Sequence, residues 1–315
     1  MERIFQTYAL CATAVAAVLA CTTLRLRLAR RRAPWHEALR LRYLRCVVHA
    51  LLEGYGLPQP AAKRTQVRLL LAETIAGVTA ATYGPDTGVL RRIVAAYALD
   101  ELLLRRIRRS RGYRRAYYLS LLAMLPADGS AARRAERYGR GNRSVRFYAL
   151  LLRLTNDPSR SIRLIADYPT PLTLFEIGEI VALLRRGALP VAYGPLVASH
   201  NRNLRALGLA IVRRFGIGEA EQALLRIVDR EPADELTREA LFTLCTLRRP
   251  LTRRAVTRRI AAMDRTERRT LLRRMAFEGY AAGALRRVID AEERPYYEAL
   301  VASYKRYLPC SVCDF

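Results

Sequence analysis

The segment that decides the fold reads Asn203-Leu204-Arg205-Ala206-Leu207-Gly208-Leu209-Ala210-Ile211-Val212-Arg213-Arg214-Phe215-Gly216. Its apolar residues recur at steps of one, three and four positions, the spacing that keeps side chains on one face of a helix. That face carries Leu204, Leu207, Ile211, Val212 and Phe215. Gly216 closes the pattern, as a glycine commonly does at the end of a helix. The segment therefore predicts an amphipathic helix that buries one side.

The same pattern, an early arginine followed by an apolar run, recurs elsewhere in the chain. It is found at Ser144–Leu150 and Leu236–Phe242, and in a weaker form at Glu267–Leu272. The arginines of the four copies are Arg146, Arg205, Arg238 and Arg268. They are separated by 59, 33 and 30 residues, which indicates a unit of about 30 residues with one copy skipped. Units of this length predict stacked helix pairs.

Helical periodicity extends through most of the remaining chain. A second predicted helix face consists of Val67, Leu70, Leu71, Ile75 and Val78. Turn signals such as Gly84-Pro85-Asp86 and Asn156-Asp157-Pro158 interrupt the helical pattern, and several of them offer an Asp or Asn to cap the next helix. No run alternates apolar and polar residues with the period of two that a half-buried strand requires. The sequence therefore predicts an all-α fold.

The repeated segments resemble the HEAT-repeat family, in which the second helix of a unit often reads Val-Arg-x-x-Ala-Leu-x-x-Leu-Gly. The closest matches are Arg146 with Ala149 and Leu150, and Arg205 with Gly208. The resemblance covers about residues 126 to 290. It implies a right-handed α-solenoid of HEAT-like helix pairs, an armadillo-type fold. It also implies a protein-binding scaffold, because curved solenoids present long surfaces to extended partners.

The amino-terminal residues predict a membrane anchor. Residues 4–24 are 21 consecutive positions without a charged side chain. A helix of that length rises about 32 Å, close to the ~30 Å hydrocarbon core of a bilayer. A basic stop follows, formed by Arg25, Arg27, Arg30, Arg31 and Arg32. Because arginine favours the cytoplasmic end of a span, we predict a single-pass inner-membrane protein with its amino terminus outside and its carboxy-terminal domain in the cytoplasm.

A second interpretation of the amino terminus stays open. Val18-Leu19-Ala20-Cys21 has the pattern at which bacterial lipoprotein signals are cut, and Arg3 supplies a minimal basic region before it. Cleavage there would place the remaining chain outside the cytoplasm, although the arginines that follow oppose export. With the anchor interpretation, three parts are predicted: an anchor with its basic flank at 1–32, a helical region at 33–125, and a repeat region with a short tail at 126–315.

Positive charge is the main feature of the composition. The chain has 55 basic and 28 acidic side chains, a net charge of +27, and its only lysines are Lys63 and Lys305. The charge is densest in residues 105–146, which hold 13 arginines against Asp128 and Glu136. Arginine makes forked hydrogen bonds with carboxylates and phosphates, so this block predicts an anionic partner.

We expect contact residues from this block and from two of the repeat arginines. They are Arg105, Arg106, Arg108, Arg109, Arg111, Arg114, Arg115, Arg134, Arg137, Arg205 and Arg238. The expected partner is a protein associated with the membrane. Anionic lipid would attract the same arginines, and nucleic acid would use them with the tyrosines interleaved among them. A plain solvated surface in an arginine-rich chain is the remaining alternative.

No catalytic motif, cofactor signature or complete metal site is visible, so we predict a binding protein rather than an enzyme. Cys310 and Cys313 have the spacing of half a metal site, but a structural zinc needs four ligands. Glu176 and Glu179 share a helix face, and we expect it to be solvated because no histidine accompanies them. His200 precedes a capped helix and is expected in a loop or cap. The oligomeric state is not indicated.

Overall fold

The computed structural model describes residues 34–54, 65–81, 87–126, 129–185, 192–230, 235–286 and 288–307. All regular secondary structure in these ranges is helical, which confirms the predicted all-α class. The α-helices are α1 (34–53), α2 (Thr65–Ala81), α3 (Thr87–Ala96), α4 (Leu99–Arg109), α5 (Gly112–Met124), α6 (Gly129–Glu136), α7 (Arg143–Asn156), α8 (Ser161–Ala166), α9 (Leu174–Arg185), α10 (Tyr193–Val197), α11 (Arg202–Phe215), α12 (Glu221–Arg230), α13 (Glu235–Thr246), α14 (Arg254–Ala261), α15 (Arg265–Phe277) and α16 (Arg294–Tyr307).

The structure corrects the predicted transmembrane anchor. No helix in the ranges above is both long enough and apolar enough to cross a membrane. The longest, α1, carries five charged side chains between Glu37 and Glu53, and the 17 residues of α2 rise only about 26 Å. The predicted span at 4–24 and the basic stop at Arg25–Arg32 lie outside the described residues. The predicted fold class with a membrane-spanning helix is therefore wrong for the described residues. The predicted inner-membrane localisation rested on that helix and is corrected with it.

The chain divides after Leu152 into two compact units, called unit 1 and unit 2. In unit 1, α4 packs against α2, α3, α5 and α6, and α2 also contacts α5. The predicted apolar face of α2 is confirmed, because all five of its members are buried. Leu102, Leu103 and Ile107 of α4 are buried as well, so one side of this helix faces the core and leaves the other for polar residues.

In unit 2 the helices form two layers. One layer contains α9, α11, α13 and α15, each in contact with the next, and α16 packs on α15. In the other layer, α10 packs on α11, and α12 packs on α13 and on α14. The core includes Leu224 of α12, Leu241 of α13 and Val256 of α14, none of which is measurably exposed. Helix pairs stacked in this way are compatible with a solenoid.

The repeat predicted from the arginine spacing has a structural counterpart. Arg146, Arg205, Arg238 and Arg268 are each the fourth residue of a helix, in α7, α11, α13 and α15. Hydrogen bonds between successive helices of the first layer join residues about one repeat apart. Arg202 bonds to Glu235 at a separation of 33 residues, and Arg238 bonds to Glu267 at a separation of 29. In unit 2 these separations are compatible with the predicted period of about 30 residues.

Residues 203–215 lie in α11. The side chain of Asn201 caps its start by accepting hydrogen bonds from the amides of Asn203 and Leu204, and Gly216 ends it with a φ of 65°. Four of the five predicted face residues are buried, but Phe215 is 49% exposed. The prediction for Phe215 is wrong because periodicity gives the direction of a side chain, not whether a neighbouring element covers it.

Gly208 sets the distance between α10 and α11. A Cβ atom at this position would lie 2.8 Å from the backbone nitrogen of Val197 and 3.0 Å from Cβ of Leu196. The first distance is shorter than non-bonded atoms tolerate, and the second is tighter than most Cβ contacts. The glycine of the repeat motif therefore permits close packing of the two helices in this pair.

Candidate partner-binding surface

Three arginines line the exposed side of α4. Arg105, Arg108 and Arg109 are exposed and lie three and four residues apart, so they share a face of the helix. Glu101 occupies the same face one turn earlier. The apolar residues of α4 are buried in the core. The three arginines therefore form a row on its solvent side.

A second arginine row comes from α6 and the residue that follows it. Arg133, Arg134 and Arg137 are exposed at the same helical spacing, while the alanines on the other side of α6 are buried. Arg134 forms an ion pair with Glu101 of α4. This contact places the row of α6 beside the row of α4.

The turn from α4 to α5 adds two further exposed arginines, Arg111 and Arg114. The predicted contact residue Arg115, in contrast, is half-buried. Its Nε donates to the carbonyl of Ser110 at 2.9 Å, and its guanidinium lies 5.9 Å from the ring centre of Tyr138. Arg106 is also partly covered. We call the exposed members of the predicted contact set in this block the basic face; they are Arg105, Arg108, Arg109, Arg111, Arg114, Arg134 and Arg137.

Few carboxylates neutralise the basic face. Arg134 is paired with Glu101, and Nε of Arg105 donates to the backbone carbonyl of the same glutamate at 3.4 Å. The side chains of the five others make neither an ion pair nor a hydrogen bond with any described residue. Their guanidinium groups therefore keep their hydrogen-bonding capacity. These five are Arg108, Arg109, Arg111, Arg114 and Arg137.

One aromatic ring stands among these arginines. Tyr113, in the first turn of α5, is 78% exposed and has no hydrogen bond or ring contact with any described residue. The tyrosine one turn later differs, because the hydroxyl of Tyr117 donates to the carboxylate of Glu73. Burial, together with that hydrogen bond, raises the pKa of Tyr117. Tyr113 is thus the most exposed of the tyrosines of α5.

The two predicted contact residues of unit 2 are engaged within the chain. Nη1 of Arg238 lies 3.4 Å from Oε1 of Glu267, and Nε of Arg205 donates to the carbonyl of Ser199 at 2.9 Å. Arg238 belongs to a series of ion pairs that links successive helices of the first layer, which we call the ion-pair ladder. Its members are Arg202–Glu235 at 2.5 Å, Arg213–Glu239 at 2.6 Å, Arg238–Glu267 at 3.4 Å and, beyond α15, Arg268–Asp290 at 3.1 Å.

The structure changes the interpretation of Glu176. Its side chain is 4% exposed, not solvated as predicted. Glu176 and Thr173 form a capping box at the start of α9: the Thr173 amide donates to Oε2 at 2.8 Å, and the Glu176 amide donates to Oγ1 of Thr173 at 3.2 Å. His200 is exposed directly before the cap of α11, which confirms its loop setting. Cys310 and Cys313 lie outside the described residues.

An open groove runs between α9, α11 and α13. Leu174, 58% exposed, borders one side of it, and Ala206 and Ala210 of α11 form part of its lining. The charged groups on the other side, Arg202 with Glu235 and Arg213 with Glu239, are the ladder pairs. These carboxylates already accept hydrogen bonds from arginine, so they are poorly placed for acid–base chemistry in the groove.

Sequence reasoning missed the role of Arg68 in unit 1. This arginine is the fourth residue of α2, like the repeat arginines, and its Nη2 donates to the carbonyl of Ala98 at 2.9 Å. Ala98 has a left-handed backbone with a φ of 44° and precedes α4. The available signal was Val67-Arg68, which matches the opening of the repeat motif.

Comparison with known proteins adds no assignment. No protein-family model matches the chain. A search of curated proteins finds no match either. Within the described ranges, no three His, Cys, Asp or Glu side chains are grouped so that they could hold a metal ion.

Proposed function

We propose that the protein is a non-catalytic scaffold of the HEAT-repeat type, which binds an acidic segment of a partner protein through the basic face. The observation that carries the proposal is the set of five exposed arginines that have no carboxylate in reach among the described residues. In unit 2, the arginines of the ladder find their carboxylates in the next repeat. The five arginines of the basic face have no such groups among the described residues, and the partner would supply them.

Three observations support a HEAT-type architecture. Arginines recur as the fourth residue of successive helices, residues about 30 positions apart are hydrogen-bonded, and a glycine lets the paired helices approach closely. Repeats of this kind contact mainly their neighbours and leave long surfaces open. Such surfaces bind extended segments of other proteins rather than small substrates.

The aromatic content of the basic face favours a protein partner over nucleic acid. Surfaces for single-stranded nucleic acid offer several rings on which successive bases stack. Here Tyr117 is held by Glu73 and Tyr138 lies beneath Arg115, which leaves Tyr113 as the open ring. Arginine and tyrosine are also the residues enriched in protein interfaces.

A binding assay with the full chain tests the proposal, with immobilised polyglutamate as the probe. One variant removes Arg108, Arg109, Arg111 and Arg114 by substitution with glutamine. We expect roughly tenfold weaker binding, since four exposed ion pairs at about 0.4 kcal/mol each would be lost. Both binding curves are measured at the same ionic strength, because exposed ion pairs are screened by salt.

A matched variant controls for total charge. It replaces four exposed arginines of unit 2 that have no carboxylate partner among the described residues, Arg214, Arg226, Arg254 and Arg265, with glutamine. Because the same number of charges is removed, non-specific attraction falls equally in both variants. We expect the control to bind polyglutamate almost as well as the unmodified protein. Equal weakening of the two variants would show that net charge alone drives binding, and the proposal would be wrong.

A further inference from the structure

The position of Tyr113 indicates what an acidic partner segment must also contain. The ring lies at the start of α5, directly after Gly112, whose φ of 54° turns the chain between α4 and α5. Single exposed apolar side chains are common on protein surfaces and need no explanation by themselves. The surroundings of this ring distinguish it from the others.

Positive charge surrounds Tyr113 closely along the chain. Arg111 and Arg114 flank it, and both are exposed. The first turn of α5 contains no acidic residue, and Arg111, at the cap position, makes no capping hydrogen bond with its side chain. The amide groups that begin α5 therefore add to the local positive potential. This positive potential attracts carboxylates from solution. Tyr113 therefore places an exposed ring where such carboxylates would gather.

The second tyrosine of α5 extends the apolar surface. Tyr113 and Tyr117 are four residues apart and so share a face of the helix. Tyr117 is 42% exposed, and its hydrogen bond to Glu73 holds it in place. A partner side chain that covers Tyr113 would therefore meet an apolar strip bordered by arginines.

We propose that Tyr113 is the anchor residue of the basic face, on which an apolar side chain of the partner packs between acidic residues that pair with Arg111 and Arg114. This inference rests on the proposed function and makes it more specific. The partner is an acidic protein segment interrupted by an apolar residue. A uniformly acidic segment would engage the arginines and leave the ring in water.

Two synthetic peptides of equal charge test the inference with the full chain. One has a leucine in the middle of six acidic residues, and the other has serine in its place. Tyr113→Ser should weaken binding of the leucine peptide roughly fivefold to tenfold, because burial of the leucine against the ring is lost. It should leave binding of the serine peptide nearly unchanged. Tyr113→Phe keeps the ring and should bind like the unmodified protein.

A control and three outcomes separate this inference from the proposed function. Phe175→Ser removes a 61% exposed ring of unit 2 and should affect neither peptide. If Tyr113→Ser leaves the leucine peptide unaffected while the basic-face variant still weakens both peptides, the anchor is wrong and the proposed function stands. If the basic-face variant also has no effect on either peptide, both are wrong. The last outcome uses an oligothymidine strand and an abasic strand of the same length. If the oligothymidine binds more tightly than the peptides, and if Tyr113→Ser lowers its affinity to that of the abasic strand, the site binds nucleic acid and the inference is overturned.

Discussion

Nη1 of Arg213 lies 2.6 Å from Oε2 of Glu239, and this ion pair joins α11 to α13, two successive helices of the first layer of unit 2. The two side chains are 31% and 15% exposed, which makes the pair the most enclosed of the ladder contacts between α11, α13 and α15. A partly enclosed pair is screened less by water and salt than an exposed one. The ladder therefore contributes to holding α11, α13 and α15 in register.

A double-mutant cycle with Arg213→Gln and Glu239→Gln measures this contribution. We expect a coupling energy of about 1 kcal/mol in the free energy of unfolding, as measured by urea denaturation, because the two groups are in direct contact. Arg258 and Asp229 provide the control: they are 2.7 Å apart, but 67% and 51% exposed. Their coupling should stay below about 0.5 kcal/mol. Equal coupling for the two pairs would contradict a special role for the ladder pair.

Gly208→Ala should destabilise the protein by about 1–3 kcal/mol, because its new methyl group collides with the backbone of Val197. Gly178 of α9 offers a matched test, since a Cβ there would meet no atom within 4 Å. Gly178→Ala should instead stabilise the protein, by up to about 1 kcal/mol, through the higher helix propensity of alanine. Thermal unfolding should show a lower Tm for Gly208→Ala and a higher Tm for Gly178→Ala. Shifts of Tm in the same direction for both variants would refute the packing argument.

Asn203 holds the segment between α8 and α9. Its Oδ1 accepts from the amide of Leu172 at 2.8 Å, and its Nδ2 donates to the carbonyls of Tyr168 and Thr170 at 3.3 and 3.2 Å. Asn203→Ala leaves these buried backbone groups without partners and should lower the free energy of unfolding by about 2–3 kcal/mol. Gln222→Ala removes an exposed amide of unit 2 as the control. If Asn203→Ala lowers the free energy of unfolding no more than Gln222→Ala does, then water can satisfy the backbone groups that Asn203 binds.

The buried thiol of Cys245 predicts sensitivity to alkali. Burial raises its pKa from 9.0 to about 12, so the folded state keeps a proton that the unfolded state releases. The stabilising effect is complete below pH 9 and is lost progressively as the pH rises toward 12, by up to about 1.4 kcal/mol per pH unit. Urea midpoints at pH 8, 9.5 and 10.5 would measure this decline.

Cys245→Ala separates the thiol from other groups that titrate in the same range. Burial also raises the pKa of Tyr280 and of Tyr297, so some alkaline loss should persist in the variant. The decline between pH 9 and 10 should nevertheless be smaller than in the unmodified protein, because tyrosine ionises later in the unfolded chain. An identical decline in both proteins would exclude a contribution from Cys245.

Local patterns gave a large part of the fold. The helical face of α2 and four of the five residues on the face of α11 follow from spacing along the chain, and the structure confirms them. The position of the four arginines as the fourth residue of their helices is compatible with the predicted repeat period. Such features depend on contacts within one helix or on a register that repeats. The same reasoning failed at Phe215 and Glu176, where exposure depends on what lies nearby in space.

For the same reason, some of the predicted contact arginines are paired with a carboxylate in the structure and others are not. From sequence, Arg238 and Arg109 are equivalent cations on amphipathic helices. In the structure, Arg238 meets Glu267, 29 residues further along the chain, whereas Arg109 meets no carboxylate of the described residues. Spacing along a helix cannot show which of the two is already neutralised.

By itself, the sequence determined that the chain forms amphipathic helices, that they recur about every 30 residues, and that arginine dominates their polar sides. These properties follow from backbone geometry and the hydrophobic effect, which act over a few residues. Only the tertiary structure decided which arginines are paired in the ladder and which ones, around Tyr113, have no carboxylate within reach among the described residues. Ion pairing is a contact between groups distant in sequence, and folding must bring their helices together before it can form.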